Sequence, residues 1–350
     1  MREACRAAAV LLTVNNASGE PWLGERKTRK EGGNMQRAKL NLDQWRFDHF
    51  LKSIGVALLM TGIFVGPAMG QQKDQKTFSS PEEASEALYT AAQNNDEKAV
   101  LEILGQDGKE IISSGDKTED AQDRANFVER YEEMHRLVKE LDGTVTEYIG
   151  AKNWPVPIPI VNNGDVWYFD TKAGKREILM RRIGRNEIST IRVCSALVES
   201  QKEYYSEYNQ YAQKIFSDAG KHDGLYWKAG ENEPQSPIGP LVARAVAEKF
   251  APDRVDSAVP YHGYFFHVLT GQGKNAPGGA KNYIVDGKMT VGFAFVAYPA
   301  EYRSLGVKTF LVSTDGVVFE KDLGKNTEAI GNSMKRFNPD STWQKIDDEQ

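Results

Sequence analysis

The sequence has only two cysteines, Cys5 and Cys194, among its 350 residues. If Cys5 were removed by processing, Cys194 would have no intrachain partner. The protein therefore cannot depend on a framework of disulfide bonds, and its core must be large enough to be stable without one. Because Cys194 falls on the apolar side of a helical pattern, we expect a packed, unreactive thiol.

The sequence also lacks the short motifs that identify common catalytic and cofactor sites. It contains no G-x-S-x-G nucleophile elbow, no H-E-x-x-H metal motif and no C-x-x-C pair. The glycines Gly271, Gly273, Gly278 and Gly279 lie in a predicted strand-to-strand loop and do not open a helix, so the geometry that cradles a phosphate is missing. These absences exclude no reaction, but they leave no catalytic residue to name.

Acidic side chains outnumber basic ones beyond the first 70 residues. Residues 1–70 hold 10 of the 44 Lys and Arg residues but only 6 of the 49 Asp and Glu residues, so residues 71–350 carry 34 basic and 43 acidic side chains. Nucleic-acid binding depends on neutralising phosphates with basic side chains. The imbalance therefore argues against nucleic acid as a partner.

The N-terminal region has the anatomy of an export signal. A basic stretch follows Met35, the residues from Ile54 to Met69 are almost wholly apolar, and Ala68-Met69-Gly70 places small residues at a cleavage site. We therefore predict a signal peptide over residues 35–70 that is cleaved after Gly70, and a periplasmic or secreted protein with no stable membrane span. Residues 1–34 are expected to be a non-native or disordered extension, with Met1 and Met35 both open as the start.

An uncleaved anchor over residues 54–69 is the alternative for this region. The apolar run of about 16 residues is short for a membrane-spanning helix, which needs about 20. Cleavage is therefore favoured.

Residues 76–182 show helical patterns followed by strand patterns. The first helix begins at Ser80-Pro81-Glu82, where a serine cap, a proline and an acidic first turn suit a helix N-terminus. Further helices are predicted, including one over Asp123–Leu141. From Thr144 the apolar period becomes two and predicts strands as far as Ile178–Met180. This order resembles the cone-shaped nuclear-transport-factor-2-like fold, which implies an α+β module with a curved antiparallel sheet.

The stretch Arg185–Trp227 contains the longest helical pattern, which begins at Arg185 and stops at Asp218-Ala219-Gly220, where glycine suits a C-terminal cap. Gln201 is the one polar break in its apolar stripe. Further along, Asp286-Gly287 and Asp315-Gly316 each separate two apolar runs, which is a strong signal for a β-hairpin. We therefore predict a four- or five-stranded antiparallel sheet packed on one face of the long helix.

Together these patterns predict an α+β protein with two modules: helices with a curved antiparallel sheet over residues 76–182, then a long helix packed on a second antiparallel sheet over residues 183–325. The second module is loosely similar to a pilin. Residues 326–350 are predicted to form a polar tail.

The densest group of charged side chains is Arg181, Arg182, Arg185 and Glu187, at the junction of the two predicted modules. The planar fork of arginine binds carboxylates and phosphates, so one interpretation is an anion site. The other is a salt-bridged hinge where strand turns into helix, and this structural interpretation is favoured. Trp154, in a proline-rich loop, is a further ligand or hinge candidate.

Two histidines and an aspartate complete the candidates. His222-Asp223 and His262 would make a metal site if the fold brought them together, because imidazole and carboxylate suit zinc. No motif spacing supports this, so turn and hydrogen-bonding roles are favoured. We therefore predict no metal and no other cofactor.

Several stretches of this sequence resemble a bacterial family filed as domain of unknown function 2950, and they cover most of residues 76–325. The resemblance implies an exported envelope protein without an assigned activity. The stretches are Trp154–Val161, Arg181–Glu187, Gly220–Trp227, Ser236–Leu241, Pro260–Tyr264 and Gly292–Asp322.

Three functions follow as hypotheses. The leading one is a non-enzymatic envelope protein that binds a partner protein or an envelope polymer. The second is a periplasmic hydrolase or a small-ligand-binding enzyme with its pocket in the first module, lined by Trp154, Trp167 and Tyr131. The third, a filament subunit, requires that the apolar helix be retained.

Overall fold

The computed structural model describes residues 75–113, 117–230, 233–239 and 260–346. The predicted signal peptide and the extension that precedes it lie outside these residues. The described chain divides into two compact units, the first ending at Thr171 and the second beginning at Lys172. Both units mix helices with antiparallel strands, which confirms the α+β class.

The first unit opens with two helices that begin as the sequence predicts. In α1, Pro81–Gln93, the Ser80 side chain accepts a hydrogen bond from the N–H of Glu83, and proline occupies the first turn. In α2, Glu97–Leu104, the side chain of Asp96 caps the N–H of Ala99 in the same way. A 3-10 turn, Gln106–Gly108, and a short α3, Lys109–Ile112, follow.

The predicted helix over Asp123–Leu141 is wrong in its last turns. Helix α4 covers Lys117–Glu133, and strand β1 begins at His135. The N–H of Gly150 donates to the carbonyls of Arg130 and Met134 at 3.0 and 2.8 Å, which ends the helix. Its apolar residues beyond that point pair in the sheet, because a short apolar run suits either structure.

The sheet of the first unit is antiparallel, with the order β1-β2-β4-β5 and with β3 paired to β2. Helix α1 packs against α4, β4 and β5. The strands are β1 His135–Lys139, β2 Val145–Ile149, β3 Trp154–Pro155, β4 Ile160–Asn163 and β5 Val166–Phe169.

The long helix, α5, covers Thr171–Tyr208 and has 38 residues, or a length of about 57 Å. The predicted helix is confirmed over Arg185–Tyr208 and is wrong beyond Tyr208, where the sequence pattern continued to Asp218-Ala219-Gly220. The helix also begins earlier than predicted, so Ile178–Met180 is helical instead of a strand. Asn209 ends the helix in a left-handed conformation, with φ of 51°. The chain then turns to the sheet side, where the N–H of Tyr211 donates to the carbonyl of Met289 at 2.7 Å.

A five-stranded antiparallel sheet packs with α5 in one hydrophobic core, as predicted. The core joins Cys194 and Leu197 of α5 to Tyr264, Phe295 and Phe310 of the strands. The strand order is β15-β13-β12-β11-β6. The strands are β6 Tyr264–Leu269, β11 Ala294–Pro299, β12 Lys308–Ser313, β13 Val318–Asp322 and β15 Gln344–Lys345.

The two predicted hairpins have different outcomes. Asp315-Gly316 connects β12 to β13, as expected. Asp286-Gly287 connects only β9, Ile284–Val285, to β10, Lys288–Met289. The run through Tyr298 instead forms β11 and pairs with β6 and β12, because central strands gain two hydrogen-bonded neighbours.

The C-terminal residues are folded against this sheet. Helix α6, Thr327–Ser333, packs on β11. A small sheet then joins β14, Arg336–Phe337, to β7, Gly271–Gln272, which also pairs with β8, Lys281–Asn282. Among the described residues, no helix is both long and apolar enough to cross a bilayer.

Candidate functional site

The first unit has a carboxyl group in its core. Alternation along β2 points Val145, Glu147 and Ile149 to the same side of the sheet, and all three are buried. Glu147 has no exposed surface at all. Burying a glutamate among apolar side chains costs free energy unless its carboxyl is hydrogen-bonded, paired or neutralised. Glu147 is therefore the most unusual position of the first unit chemically.

Two hydroxyl groups form a relay to this carboxyl. The hydroxyl of Ser85, on α1, donates to Oε1 of Glu147 at 2.5 Å. The hydroxyl of Tyr131, on α4, lies 3.1 Å from the Ser85 oxygen. Either hydroxyl can be the donor of that second bond. Within the described residues Oε2 of Glu147 has no hydrogen-bond partner. We refer to these three residues as the buried carboxyl cluster.

Burial raises the pKa of Glu147 above its ordinary value, because the charged form is poorly solvated there. The hydrogen bond from Ser85 and the electrostatic interaction with His135 lower the pKa of Glu147, but both effects are smaller than that of burial. Burial likewise raises the pKa of Tyr131. The cluster therefore keeps its protons to higher pH than the same groups in water.

Tyr131 of the cluster is also the middle member of a stack of three rings. The Tyr131 ring is stacked between those of Tyr89 and His135, with centroid distances of 4.3 and 3.9 Å. His135 is exposed on the edge strand β1, and its Nδ1 lies 3.0 Å from the carbonyl oxygen of Tyr131. Chemically, the arrangement can donate or accept a proton at the buried carboxyl.

The second unit has a groove of about 440 Å³, which we refer to as the Trp343 groove. Its lining combines an indole, two cations, an amide and a hydroxyl with an apolar floor. The lining residues are Leu311, Ser333, Met334, Lys335, Arg336, Asn338 and Trp343.

The backbone of one wall of the groove is held by three hydrogen bonds from neighbouring elements. Nε2 of His267 lies 3.0 Å from the carbonyl oxygen of Met334. The N–H groups of Thr270 and Gly273 donate to the carbonyls of Lys335 and Phe337 at 3.1 and 2.8 Å. The side chains of this wall therefore project from a backbone that cannot move freely.

Hydrogen bonds and a cation–π contact also fix side chains at the groove. Nη1 of Arg336 donates to the carbonyls of Gln272 and Lys281, at 3.2 and 3.3 Å. The ammonium of Lys321 lies 5.8 Å from the centre of the Trp343 ring.

The predicted arginine cluster lies on α5. Nε of Arg181 pairs with Oε1 of Glu177 at 2.7 Å. Burial lowers the pKa of Arg182, and the carboxylate of Glu301 acts against this. For Arg185, burial and then the charges of the other two arginines lower the pKa.

Glu187 makes structural hydrogen bonds. Its Oε1 accepts from the N–H groups of Val307 and Lys308 at 2.9 and 3.0 Å, and the side chain is buried. Burial raises its pKa, while the two backbone hydrogen bonds act against this. Glu187 therefore anchors the start of β12 to α5.

The structure places the two candidate histidines beside different parts of α5. His262, with φ of 48°, precedes Gly263, where an added Cβ would lie 3.0 Å from Nδ2 of Asn186. The carbonyl of His222 accepts from the hydroxyl of Tyr204 at 2.8 Å. Asn186 and Tyr204 are 18 positions apart, or about 27 Å along the helix. The two histidines therefore lie near distant points of α5 and are not brought together.

The contacts of His222 and Asp223 are local ones. The His222 ring stacks on Trp227, with centroids 4.3 Å apart. Asp223 pairs with Lys214 at 2.9 Å and accepts from the N–H of Asp218 at 3.0 Å. In the described part of the chain, no group of three or more His, Cys, Asp or Glu side chains is arranged to hold a metal ion.

Trp154, the remaining candidate, is half-buried in β3, where it pairs with Ile149 of β2. It belongs to the first unit, whereas the arginines and both histidines belong to the second.

A family model described as "Protein of unknown function (DUF2950)" matches residues 75–346. The chain belongs to this family. No curated protein and no solved structure matches the chain significantly. The family assignment confirms the resemblance seen in the sequence, and the family description names no activity.

The sequence analysis named Tyr131 as a pocket residue but missed Glu147, Ser85 and the Trp343 groove. Glu147 has a visible signal, since V-T-E-Y-I alternates and puts glutamate in phase with valine and isoleucine. Ser85 has none, because serine is common on helices that pack closely. The Trp343 groove depends on pairing between residues about 70 positions apart, which periodicity does not report.

Proposed function

We propose that this DUF2950 protein is an exported, non-enzymatic binding protein of the bacterial envelope that holds a partner protein or an envelope polymer. The observation that carries the proposal is the Trp343 groove. Tryptophan and arginine are the residue types that contribute most binding energy at recognition surfaces. Here both line one groove whose wall is already held in place, so little ordering is needed when a partner binds.

Export is supported by the order of residues 35–70, in which a basic stretch, an apolar run and small residues follow one another. The test is the intact mass of the protein recovered from the periplasmic fraction. A mass that corresponds to a start at Gln71 is expected. Protein that still contains residues 35–70 and sediments with membranes would contradict cleavage and support an anchored protein.

Partner binding is tested by cross-linking in intact envelopes, comparing the wild type with Trp343→Ala. We expect the wild type to retain a cross-linked partner and the variant to lose it. Phe216→Ala is the matched control, because Phe216 is also an exposed aromatic residue of the second unit and lies outside the groove. Equal cross-linking of all three proteins would contradict a binding role for the groove.

The buried carboxyl cluster favours a second candidate function, a hydrolase or small-ligand-binding enzyme with its site in the first unit. The specific observation is Oε2 of Glu147, a buried carboxyl oxygen with no hydrogen-bond partner in the described residues. A group in that state suits general acid or base catalysis, since its proton affinity is shifted and one oxygen is uncommitted.

A panel of chromogenic esters separates this second candidate from background hydrolysis. Turnover by the wild type that is lost in Glu147→Gln and kept in Glu86→Gln, an exposed glutamate of α1, would support the enzyme. Equal rates for the three proteins would exclude Glu147 from hydrolysis of these substrates.

A further inference from the structure

We infer that the Trp343 groove binds an acidic polysaccharide, with sugar carboxylates at Lys335 and Arg336 and a sugar ring against the indole. This inference rests on the proposed binding function and specifies the chemical class of the partner.

Charge complementarity is the first argument. Ser333–Ile346 contains three basic residues and one acid, Asp340, whereas the whole chain has a formal net charge of −5. Asp340 accepts from the N–H and the hydroxyl of Thr342, and these bonds lower its pKa. Asp340 is not among the residues that line the groove, and that lining holds two cations and no carboxylate.

The two cations of the groove can reach a carboxylate. Lys335 is exposed and makes no hydrogen bond or ion pair with another described side chain. Nη1 of Arg336 is held by two backbone carbonyls, which leaves the donors on Nε and Nη2 for a planar anion such as a carboxylate.

Trp343 is the second argument. A sugar ring has an apolar face of C–H groups that packs on a flat aromatic surface, while its hydroxyls bond to nearby polar groups. The Trp343 side chain is partly exposed, and the backbone N–H of this residue donates to the carbonyl of Asp340 at 3.0 Å, which holds the residue in place. Asn338 and Ser333 in the same lining supply an amide and a hydroxyl for sugar hydroxyls.

The size of the groove indicates a short segment of the polymer. Its volume of about 440 Å³ falls in the range of small-ligand sites, roughly 300–1,000 Å³. A few sugar units fit such a space, and a folded domain does not.

An acidic peptide carries the same negative charge as an acidic polysaccharide, but it would bind in a different way. A common way for an extended peptide to bind is to add a strand to a free sheet edge. The edge strand β15 has only two residues, and the carbonyls of Met334, Lys335 and Phe337 in the groove wall already accept hydrogen bonds. The groove therefore offers side chains and no backbone ladder, which favours a polysaccharide.

The inference is tested by calorimetric titration of the whole protein with oligogalacturonate, neutral dextran and polyglutamate. We expect binding of oligogalacturonate alone, weakened by salt. Lys335→Glu should lose at least about tenfold in affinity because an attractive charge becomes repulsive. Lys325→Glu, an exposed lysine outside the groove, should bind as the wild type does.

Trp343→Phe keeps an aromatic surface and should bind more tightly than Trp343→Ala, with thermal melting used to check that each variant is folded. Three results would overturn the inference. Oligogalacturonate does not bind, its binding is unchanged in every groove variant, or polyglutamate binds equally well. Envelope cross-linking that depends on Trp343 without any binding of oligogalacturonate would leave the proposed function standing and reject only the polysaccharide. If neither Trp343-dependent cross-linking nor binding of oligogalacturonate is seen, both the proposed function and the polysaccharide inference are rejected.

Discussion

Ser85 and Glu147 are 62 positions apart in the sequence, yet the serine hydroxyl and the glutamate carboxyl share a hydrogen bond of 2.5 Å inside the first unit. This bond joins α1 to β2 and satisfies one of the two carboxyl oxygens. The other oxygen has no hydrogen-bond partner in the described residues. Protonation of Glu147 should therefore affect both the stability of the first unit and its capacity for acid–base chemistry.

The stability of the protein should fall as Glu147 ionises. Because folding raises the pKa of this carboxyl above its ordinary value of 4.5, the folded state binds the proton more tightly than the unfolded state does. The wild type should therefore lose stability as the pH rises from the unfolded to the folded pKa, and no further above it. Glu147→Gln should remove this component.

Urea unfolding at a series of pH values measures this effect as the difference between wild type and variant. Glu86→Gln should keep the wild-type dependence. A wild type that gains stability relative to Glu147→Gln over the same range would show that the sign is wrong.

The two hydroxyls of the cluster should differ in their contribution to stability. Ser85→Ala leaves both carboxyl oxygens of Glu147 without a donor, which should lower the free energy of unfolding by roughly 1–3 kcal/mol. Tyr131→Phe keeps the ring stack with Tyr89 and His135 and should cost only about 1 kcal/mol. Chemical denaturation gives both values, and a larger loss in Tyr131→Phe would be inconsistent with the relay.

Glu187 should behave as a structural anchor. In Glu187→Ala, the partly buried N–H groups of Val307 and Lys308 lose their acceptor, at a cost of roughly 2–4 kcal/mol in unfolding free energy. Glu187→Gln keeps an acceptor oxygen and should cost less. If the two variants unfold alike, the paired N–H contacts do not explain the role of this residue.

Cys194 should be unreactive in the folded protein. It is fully buried, and burial raises its pKa to about 12, so almost no thiolate forms near neutral pH. A chromogenic disulfide reagent should modify it only after denaturant is added. Rapid modification without denaturant would mean that the helix–sheet core opens readily.

Several parts of the fold follow from local sequence signals. Ser80 and Pro81 define the start of α1 because capping depends on neighbouring residues only. The turn at Asp315-Gly316 was predictable for the same reason, since Gly316 adopts φ of 79°, which favours glycine. Burial of Cys194 follows from its place on an apolar stripe.

The errors arose where an apolar pattern suits more than one structure. Leu137 and Val138 have helical spacing from α4, but they pair with Glu147 and Thr146 of β2. Gln201, the polar break in the long apolar stripe, exchanges two hydrogen bonds of 2.8 Å with the backbone of Ala212 beyond the helix end. That contact forms only because the chain turns back, so the pattern alone could not locate the end of α5.

The sequence by itself determined the α+β class, the family, the position of several caps and turns, and the burial of the apolar stripe, because these depend on residues close together in the chain. Only the tertiary structure decided where α5 ends, which strands pair, and how Ser85, Tyr131 and Glu147 meet in one core. The same holds for the Trp343 groove, whose wall is held by hydrogen bonds from His267, Thr270 and Gly273. Long-range pairing depends on which surfaces can be buried together, and periodicity along the chain carries no information about that.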